Sequence, residues 1–257
     1  MTLRRPMAVG IIPARLHSTR LPEKPLQDLC GAPVIVRVLE RVRLSAVLRD
    51  IWVATDHQRI ADAVLRAGGN AILTSPDHPS GLDRVAEAAR LLLDREAIGS
   101  EDIIVNIQGD EPFVNARGLG HLVRLFERSE VRMGTLAAPF RNPEEVREPS
   151  RVKVVTDREG RALYFSRSPI PHGAEEGSDA AALSHIGVYA YRRDTLEELA
   201  RLSPAPLERV ERLEQLRALW NGIPIYVAVG DYHSIGIDTP EDLARARARW
   251  GERGSTT

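Results

Sequence analysis

Ala8-Val9-Gly10-Ile11-Ile12-Pro13-Ala14-Arg15-Leu16-His17-Ser18-Thr19-Arg20-Leu21-Pro22-Glu23-Lys24 is the stretch whose reading decides the fold. Ala8 to Pro13 has no polar alternation, the pattern of a strand covered on both faces. The chain then turns basic. Arg15, Arg20 and Lys24, with the hydroxyls of Ser18 and Thr19, fall within ten residues whose one acid is Glu23. Working outward, Val34 to Val42 reads as a helix, Ile51 to Thr55 as a strand and Gln58 to Ala67 as a helix stopped by Gly68-Gly69. Ala71 to Thr74 reads as a strand, Leu82 to Leu93 as a helix and Asp102 to Ile107 as a fourth strand. Strands alternating with helices at this spacing require crossover connections, hence a mostly parallel central sheet in a three-layer α/β fold.

Past about residue 130 the rhythm changes. Gly134 to Phe140, Val152 to Thr156, Leu163 to Phe165 and Ile186 to Tyr191 read as strands without regular helices between them, and Asp157-Arg158-Glu159-Gly160 as a hairpin turn. Pro206 to Leu219 reads as one helix, Ile225 to Ala228 as a strand and Pro240 to Trp250 as a closing helix capped by Thr239. The expected organisation is one domain over 1–250. Residues 1–130 form its part of alternating strands and helices, 131–200 a smaller strand-rich part and 201–250 closing elements, with 251–257 a tail. Ala174 to Ala182, small and acidic, reads as a mobile surface loop.

The 257 residues carry 35 Lys+Arg against 36 Asp+Glu, a formal charge of -1, which argues against a protein that coats nucleic acid by neutralising phosphates. A single cysteine, Cys30, excludes a disulfide framework or a Cys-rich metal site, and it reads as a buried turn residue before Gly31. The first apolar run is broken by Gly10 and Pro13, so neither a signal peptide nor membrane insertion is expected, and the cytoplasm is the expected location.

Ligands of open α/β sheets bind beyond the carboxyl ends of strands, so the basic loop after the first strand is placed to take a polyphosphate, the alternative being a solvated loop. No Walker A or Gly-x-Gly-x-x-Gly pattern occurs. Two further segments place acids after strands: Val105-Asn106-Ile107-Gln108-Gly109-Asp110-Glu111-Pro112 and Gly236-Ile237-Asp238-Thr239-Pro240-Glu241-Asp242. Asp110 and Asp238 suit a divalent cation held against phosphates, or equally a turn or helix cap.

Taken with Ala54-Thr55-Asp56, Leu163-Tyr164-Phe165-Ser166-Arg167, His185-Ile186-Gly187-Val188-Tyr189 and Leu213-Glu214-Gln215-Leu216-Arg217, these segments resemble, in order from about Val9 to Arg247, the 3-deoxy-D-manno-octulosonate (Kdo) cytidylyltransferases of the nucleotidyltransferase superfamily. The resemblance implies a nucleotidyltransferase-type, Rossmann-like fold, with 1–130 as the nucleotide-binding part and the strand-rich 131–200 as the sugar-binding and dimerisation part. The reaction it implies is Mg²⁺-dependent joining of CTP to Kdo, an acidic eight-carbon sugar, in lipopolysaccharide precursor synthesis by a homodimer. It implies Asp110 and Asp238 as metal ligands and catalytic groups with Lys24, and Arg15, Ser18 and Lys24 on the CTP phosphates. Gln108 would lie between nucleotide and sugar. Arg84, Arg167, His185, Tyr189, Glu211, Glu214 and Gln215 would bind the sugar, with 211, 214 and 215 sharing one side of a helix. Two positions depart from the family pattern. Glu23 stands where Gly is usual and would compete with phosphate for Lys24 unless it points away, and Leu82 stands where Thr is usual. The Leu82 departure leaves open a modified Kdo or a sialic-like acid; a catalytically silent nucleotide-binding homologue is the other alternative.

Overall fold

The computed structural model describes residues 7–174, 182–232 and 234–254. They divide into two compact units, one taking the chain to Ala116 and again from Ser234, the other spanning Arg117–His233.

In the first unit, strands β1 (Ala8–Ala14), β2 (Leu48–Thr55), β3 (Asn70–Leu73) and β4 (Ile103–Asn106) are all parallel, with β2 and β4 on either side of β1 and β3 beyond β2. Val9, Ile11 and Ile12 are fully buried, as the unalternating sequence requires. Helices α1 (Val34–Val42), α2 (Gln58–Arg66) and α3 (Gly81–Asp94) connect the strands, and each buries one apolar stripe. The chain steps outward from β1 to β2 to β3, then returns past β1 to β4. Right-handed crossovers therefore place α3 on the face opposite α1 and α2. The order reverses between β1 and β4, which makes the carboxyl ends of these two strands the topological switch point.

Two sequence details fix the helix ends. Ser80 caps α3, its hydroxyl accepting from the Asp83 N–H at 3.3 Å. The last helix, α8 (Pro240–Gly254), starts as expected, with Thr239 Oγ1 accepting the Asp242 N–H at 3.2 Å while Asp242 Oδ2 accepts the Asp238 and Thr239 N–H groups. Of the expected tail, Gly251 to Gly254 continue α8, and 255–257 lie outside the described residues, as do 175–181 of the expected mobile loop.

The second unit is strand-rich, as its sequence suggests. In it, β5 (Met133–Pro139) pairs antiparallel with β8 (Leu183–Arg192) and parallel with β9 (Ile225–Val229). The β6 (Lys153–Thr156) and β7 (Ala162–Ser166) hairpin joins it along β8, closed by the expected turn, with Gly160 at φ 79°. Helices α4 (Ala116–Arg124) and α5 (Arg193–Arg201) also form. The helix expected over 206–219 is two, α6 (Pro206–Glu211) and α7 (Leu216–Trp220). Arg212 adopts the left-handed conformation (φ 53°) and stops the first, with Leu213 N–H returning to the Glu208 carbonyl at 3.2 Å. Glu208 accepts two hydrogen bonds from buried Arg217, at 2.7 and 3.0 Å, so this ion pair clips the two short helices together.

Cys30, expected to be buried, is exposed. It follows Leu29 in a tight hairpin and takes φ 52° itself, which turns its side chain off the core.

Gly69 ends α2 where no side chain fits: a Cβ there would lie 2.8 Å from Val64 Cγ1, with Leu39 closer still. Gly69→Ala should therefore cost roughly 1–3 kcal/mol of stability by overpacking, read as a lowered urea midpoint with unchanged slope.

Candidate active site

Strand β1 delivers the basic loop at its carboxyl end, and neighbouring β4 delivers Gln108-Gly109-Asp110 at the same edge, because the two strands run parallel in register from Ala8 opposite Ile103. Gly109 lets the two segments meet: a Cβ there would stand 2.6 Å from the Pro13 carbonyl oxygen. The third segment is tied in by main chain, the Ile237 N–H donating to the Asp110 carbonyl at 2.9 Å. That bond sets Asp238 beside Asp110, although they are far apart in the chain. The resulting open cavity, about 330 Å³, is lined by Arg15, Ser18, Arg20, Lys24, His78, Ser80, Arg84, Gln108, Asp110 and Asp238 among others.

Lys24 is the hub of this cavity. Its ammonium lies 2.5 Å from Asp110 Oδ2 and 3.0 Å from Asp238 Oδ1, and Arg20 Nη2 lies 3.1 Å from the same Asp238 oxygen. Burial works to lower the Lys24 pKa, but the two carboxylates outweigh it and the net shift is upward, so the ammonium stays charged. Next to this pair, burial pushes the Glu111 carboxyl up to about 7, with Asp110 and Asp238 adding to the rise. The edge thus concentrates acids that a cation must balance. Two carboxylates converging on one ammonium fit a divalent ion, for which Lys24 Nζ is the stand-in. No group of three or more His, Cys, Asp or Glu able to hold a metal occurs among the described residues. Asp110 and Asp238 are thus the pair that could hold Mg²⁺, which often takes only one or two protein carboxylates and keeps other positions for water and phosphate.

The two departures from the family pattern resolve differently. Glu23 occupies the left-handed region (φ 49°), which explains why Gly suits this position. Its carboxylate turns away from Lys24 to take both ends of the Arg59 guanidinium, at 2.5 and 2.8 Å, and this pairing holds its pKa down. Leu82, in the first turn of α3, is 3% exposed, while Ser80, Gly81 and Arg84 supply that part of the cavity wall. The missing hydroxyl therefore gives no reason to favour a different sugar.

Of the expected sugar residues, Arg84 and Gln108 lie in the first unit and line the cavity, while Arg167, His185, Tyr189, Glu211, Glu214 and Gln215 lie in the second. There, Glu211 accepts from Ser166 Oγ at 2.6 Å and from the Arg167 N–H at 2.9 Å. The Arg167 guanidinium donates to the carbonyls of Pro149, Glu211 and Arg212. Lys153, fully buried and missed in the sequence, donates to the carbonyls of Glu148 and Arg167 and braces the same corner. Its alternation in Lys153-Val154-Val155 gave no signal of that burial. His185 bonds Thr135 Oγ1 at 3.0 Å and packs its ring against Phe165 and Tyr189. The break at Arg212 removes the shared helix face for 211, 214 and 215: Glu211 ends α6, while Glu214 and Gln215 lie in the turn before α7. Gln215 is 7% exposed, and its Nε2 has no hydrogen-bond partner among the described residues.

A switch-point cavity with a cationic loop and a carboxylate pair defines an α/β protein built to hold nucleoside polyphosphates. Residues 9–225 match the cytidylyltransferase family model, and the chain belongs to that family. It is 51% identical over 238 residues to a 3-deoxy-manno-octulosonate cytidylyltransferase of Anaeromyxobacter sp. (strain Fw109-5), covering 93% of this chain and 94% of that protein. It is 50% identical to the protein of the same name from Syntrophobacter fumaroxidans, covering 91% and 93%. A solved CMP:2-keto-3-deoxy-manno-octonic acid synthetase complexed with CTP superposes with a TM-score of 0.87 at 40% identity, covering 96% of this chain and 99% of that one. A 4-diphosphocytidyl-2C-methyl-D-erythritol synthase at 13% identity shares the fold, with a TM-score of 0.65 over 95% and 98% of the two chains.

Burial lowers the His185 pKa from 6.5 to about 3. The unfolded chain therefore binds a proton that the folded chain refuses, and this group's contribution to stability is full above 6.5 and drains as pH falls toward 3. The His185 ring resonance, assigned through His185→Gln, should stay at its neutral position from about pH 8 down to about pH 5; a midpoint near 6.5 would overturn the assignment.

Proposed function

We propose that the protein joins CTP to Kdo, releasing pyrophosphate and CMP-Kdo. The observation that carries this reading is Lys24 clasped between Asp110 and Asp238 at the switch point, under a loop of arginines and hydroxyls. The names of relatives sharing half of the chain's residues over nearly its whole length supply the substrate pair.

In this reading Arg15 and Ser18 hold the CTP phosphates, Arg15 by the two-pronged contacts that guanidinium makes with phosphate. Lys24 leaves its carboxylates for the polyphosphate as the nucleotide enters. The anomeric hydroxyl of Kdo attacks the α-phosphorus directly. The new oxygen–phosphorus bond forms as the bond to the β-phosphate oxygen breaks, the hydroxyl proton is released and pyrophosphate departs. Gln108 stands between nucleotide and sugar and aligns the two. Asp110 and Asp238 would hold Mg²⁺, which supplies charge neutralisation and orientation at the phosphates when bound. Arg84, Arg167, His185, Tyr189, Glu211, Glu214 and Gln215 bind the sugar, the unpartnered Gln215 amide offering a donor for a hydroxyl. Neutral His185 contributes hydrogen bonding rather than charge. The transfer serves lipopolysaccharide precursor synthesis in the cytoplasm, and no helix among the described residues is long and apolar enough to cross a membrane.

Pyrophosphate release should require CTP, Mg²⁺ and Kdo together, and should fail with N-acetylneuraminate or when the metal is chelated. Asp110→Asn should lower kcat by about a hundredfold or more with the circular dichroism spectrum unchanged. Full turnover by that variant would remove Asp110 from the reaction.

The homodimer is proposed on the second unit, which exposes Val210 (82%), Leu163 (62%) and Trp220 (55%). Light scattering should give twice the chain mass of 28.5 kDa, and Val210→Asp should shift that mass toward one chain.

A further inference from the structure

The segment Ala54-Thr55-Asp56 at the end of β2 carries part of the resemblance yet has no part in the reaction as described above. Its acid is nearly enclosed, with a side chain 10% exposed. The two carboxylate oxygens are divided between distant partners. Oδ1 accepts the Leu16 N–H at 3.0 Å, just after Arg15 in the basic loop. Oδ2 lies 3.2 Å from Arg84 Nη2 on α3. Arg84 is itself 3% exposed and is held by its other end, Nη1 donating to Thr74 Oγ1 at 2.7 Å and to the Ser75 carbonyl at 3.2 Å. Thr74 is fixed in turn on the Thr55 carbonyl, so the whole cluster hangs from the carboxyl ends of β2 and β3.

Stability alone accounts poorly for this arrangement. A buried ion pair gains little over apolar residues of the same volume, because desolvation offsets the attraction. Burial pushes the Arg84 pKa down, Asp56 and Glu87 oppose that shift, and nearby Arg15 adds to it. Asp56 is therefore the counter-charge at Arg84, offsetting both burial and the like charge of nearby Arg15, and Arg84 and Arg15 share one wall. Both line the cavity, and Asp56 is absent from the residues that line it.

We propose that Asp56 is a positioning residue for the transfer reaction, one oxygen fixing the Arg15–Leu16 junction on the nucleotide side and the other fixing Arg84 on the sugar side. The inference rests on the reading of the protein as a CTP:Kdo transferase and deepens it, since one side chain then sets the geometry of both substrates. The two halves of the carboxylate can be removed separately. Asp56→Asn keeps an oxygen for the Leu16 N–H but loses the charge that faces Arg84; Asp56→Ala loses both.

The test compares wild type, Asp56→Asn and Asp56→Ala for CTP affinity by calorimetry and for kcat and the Kdo KM by pyrophosphate release. Asp56→Asn should leave the CTP Kd within about twofold and raise the Kdo KM at least about tenfold. Asp56→Ala should weaken both. In an Arg84→Lys background, Asp56→Asn should add little further loss, since its route to the sugar is already cut. Constants for Asp56→Asn within about twofold of wild type, additive losses with Arg84→Lys, or failure of Asp56→Asn to fold would each make Asp56 a stability residue and overturn the proposal. Absence of turnover in wild type would instead count against the transferase reading, and the contrast in CTP affinity between the two Asp56 variants would still decide the role of the Leu16 bond.

Discussion

The ammonium of Lys24, held between the carboxylates of Asp110 and Asp238, is the interaction on which the functional architecture turns. Three segments must meet for it to exist. Parallel pairing of β1 with β4 brings the basic loop and the Asp110 turn to one edge, and the approach of Gly109 to the Pro13 carbonyl closes the gap between them. The Ile237 N–H then anchors the Asp238 turn on the Asp110 carbonyl. Each of these constraints is local and cheap. Together they build a pair of carboxylates that would repel one another without a cation between them.

The same logic spreads through the surrounding charges. Arg15, Arg20, Lys24 and Arg84 would make a strongly repulsive cavity if left alone. Asp238, Asp110 and Asp56 divide that charge among them, and Glu23 is drawn off to Arg59 on α2. An exposed pair such as Glu23 with Arg59 adds little to global stability. Its effect is positional, because it occupies an acid that stands next to Lys24 in the chain.

Much of this was legible in the sequence where local chemistry sufficed. The unalternating run of β1, the 3.6-residue spacing of α1 and the Thr239-Pro240 start of α8 are local signals, and those elements formed within a residue or so of expectation at their starts. The gathering of Arg15, Ser18, Lys24, Gln108, Asp110 and Asp238 around one cavity followed from strand ends and motif order. What escaped depended on the backbone or on distant partners. Nothing in Glu211-Arg212-Leu213 marks a left-handed residue, since Gly and Asn are the usual signals, so the break between α6 and α7 and the loss of the shared face went unread. Cys30 escaped for the same reason, its exposure set by a positive φ. The bond between Asp56 and Leu16 spans 40 residues and carries no periodic trace.

The first unit is built from two stretches of chain that the whole second unit separates. A ribosome makes Lys24 and Asp110 early, but Asp238 and its anchoring Ile237 emerge only after everything from Arg117 to His233 has been synthesised. The β1–β4 sheet can pair during synthesis, since its strands are complete by Asn106. The carboxylate pair cannot. A nascent or prematurely ended chain thus carries the basic loop and one acid without the other, and the cavity becomes competent only as the last helix docks. Synthesis of the segment that carries Ile237 and Asp238 is in this sense the step that completes the site.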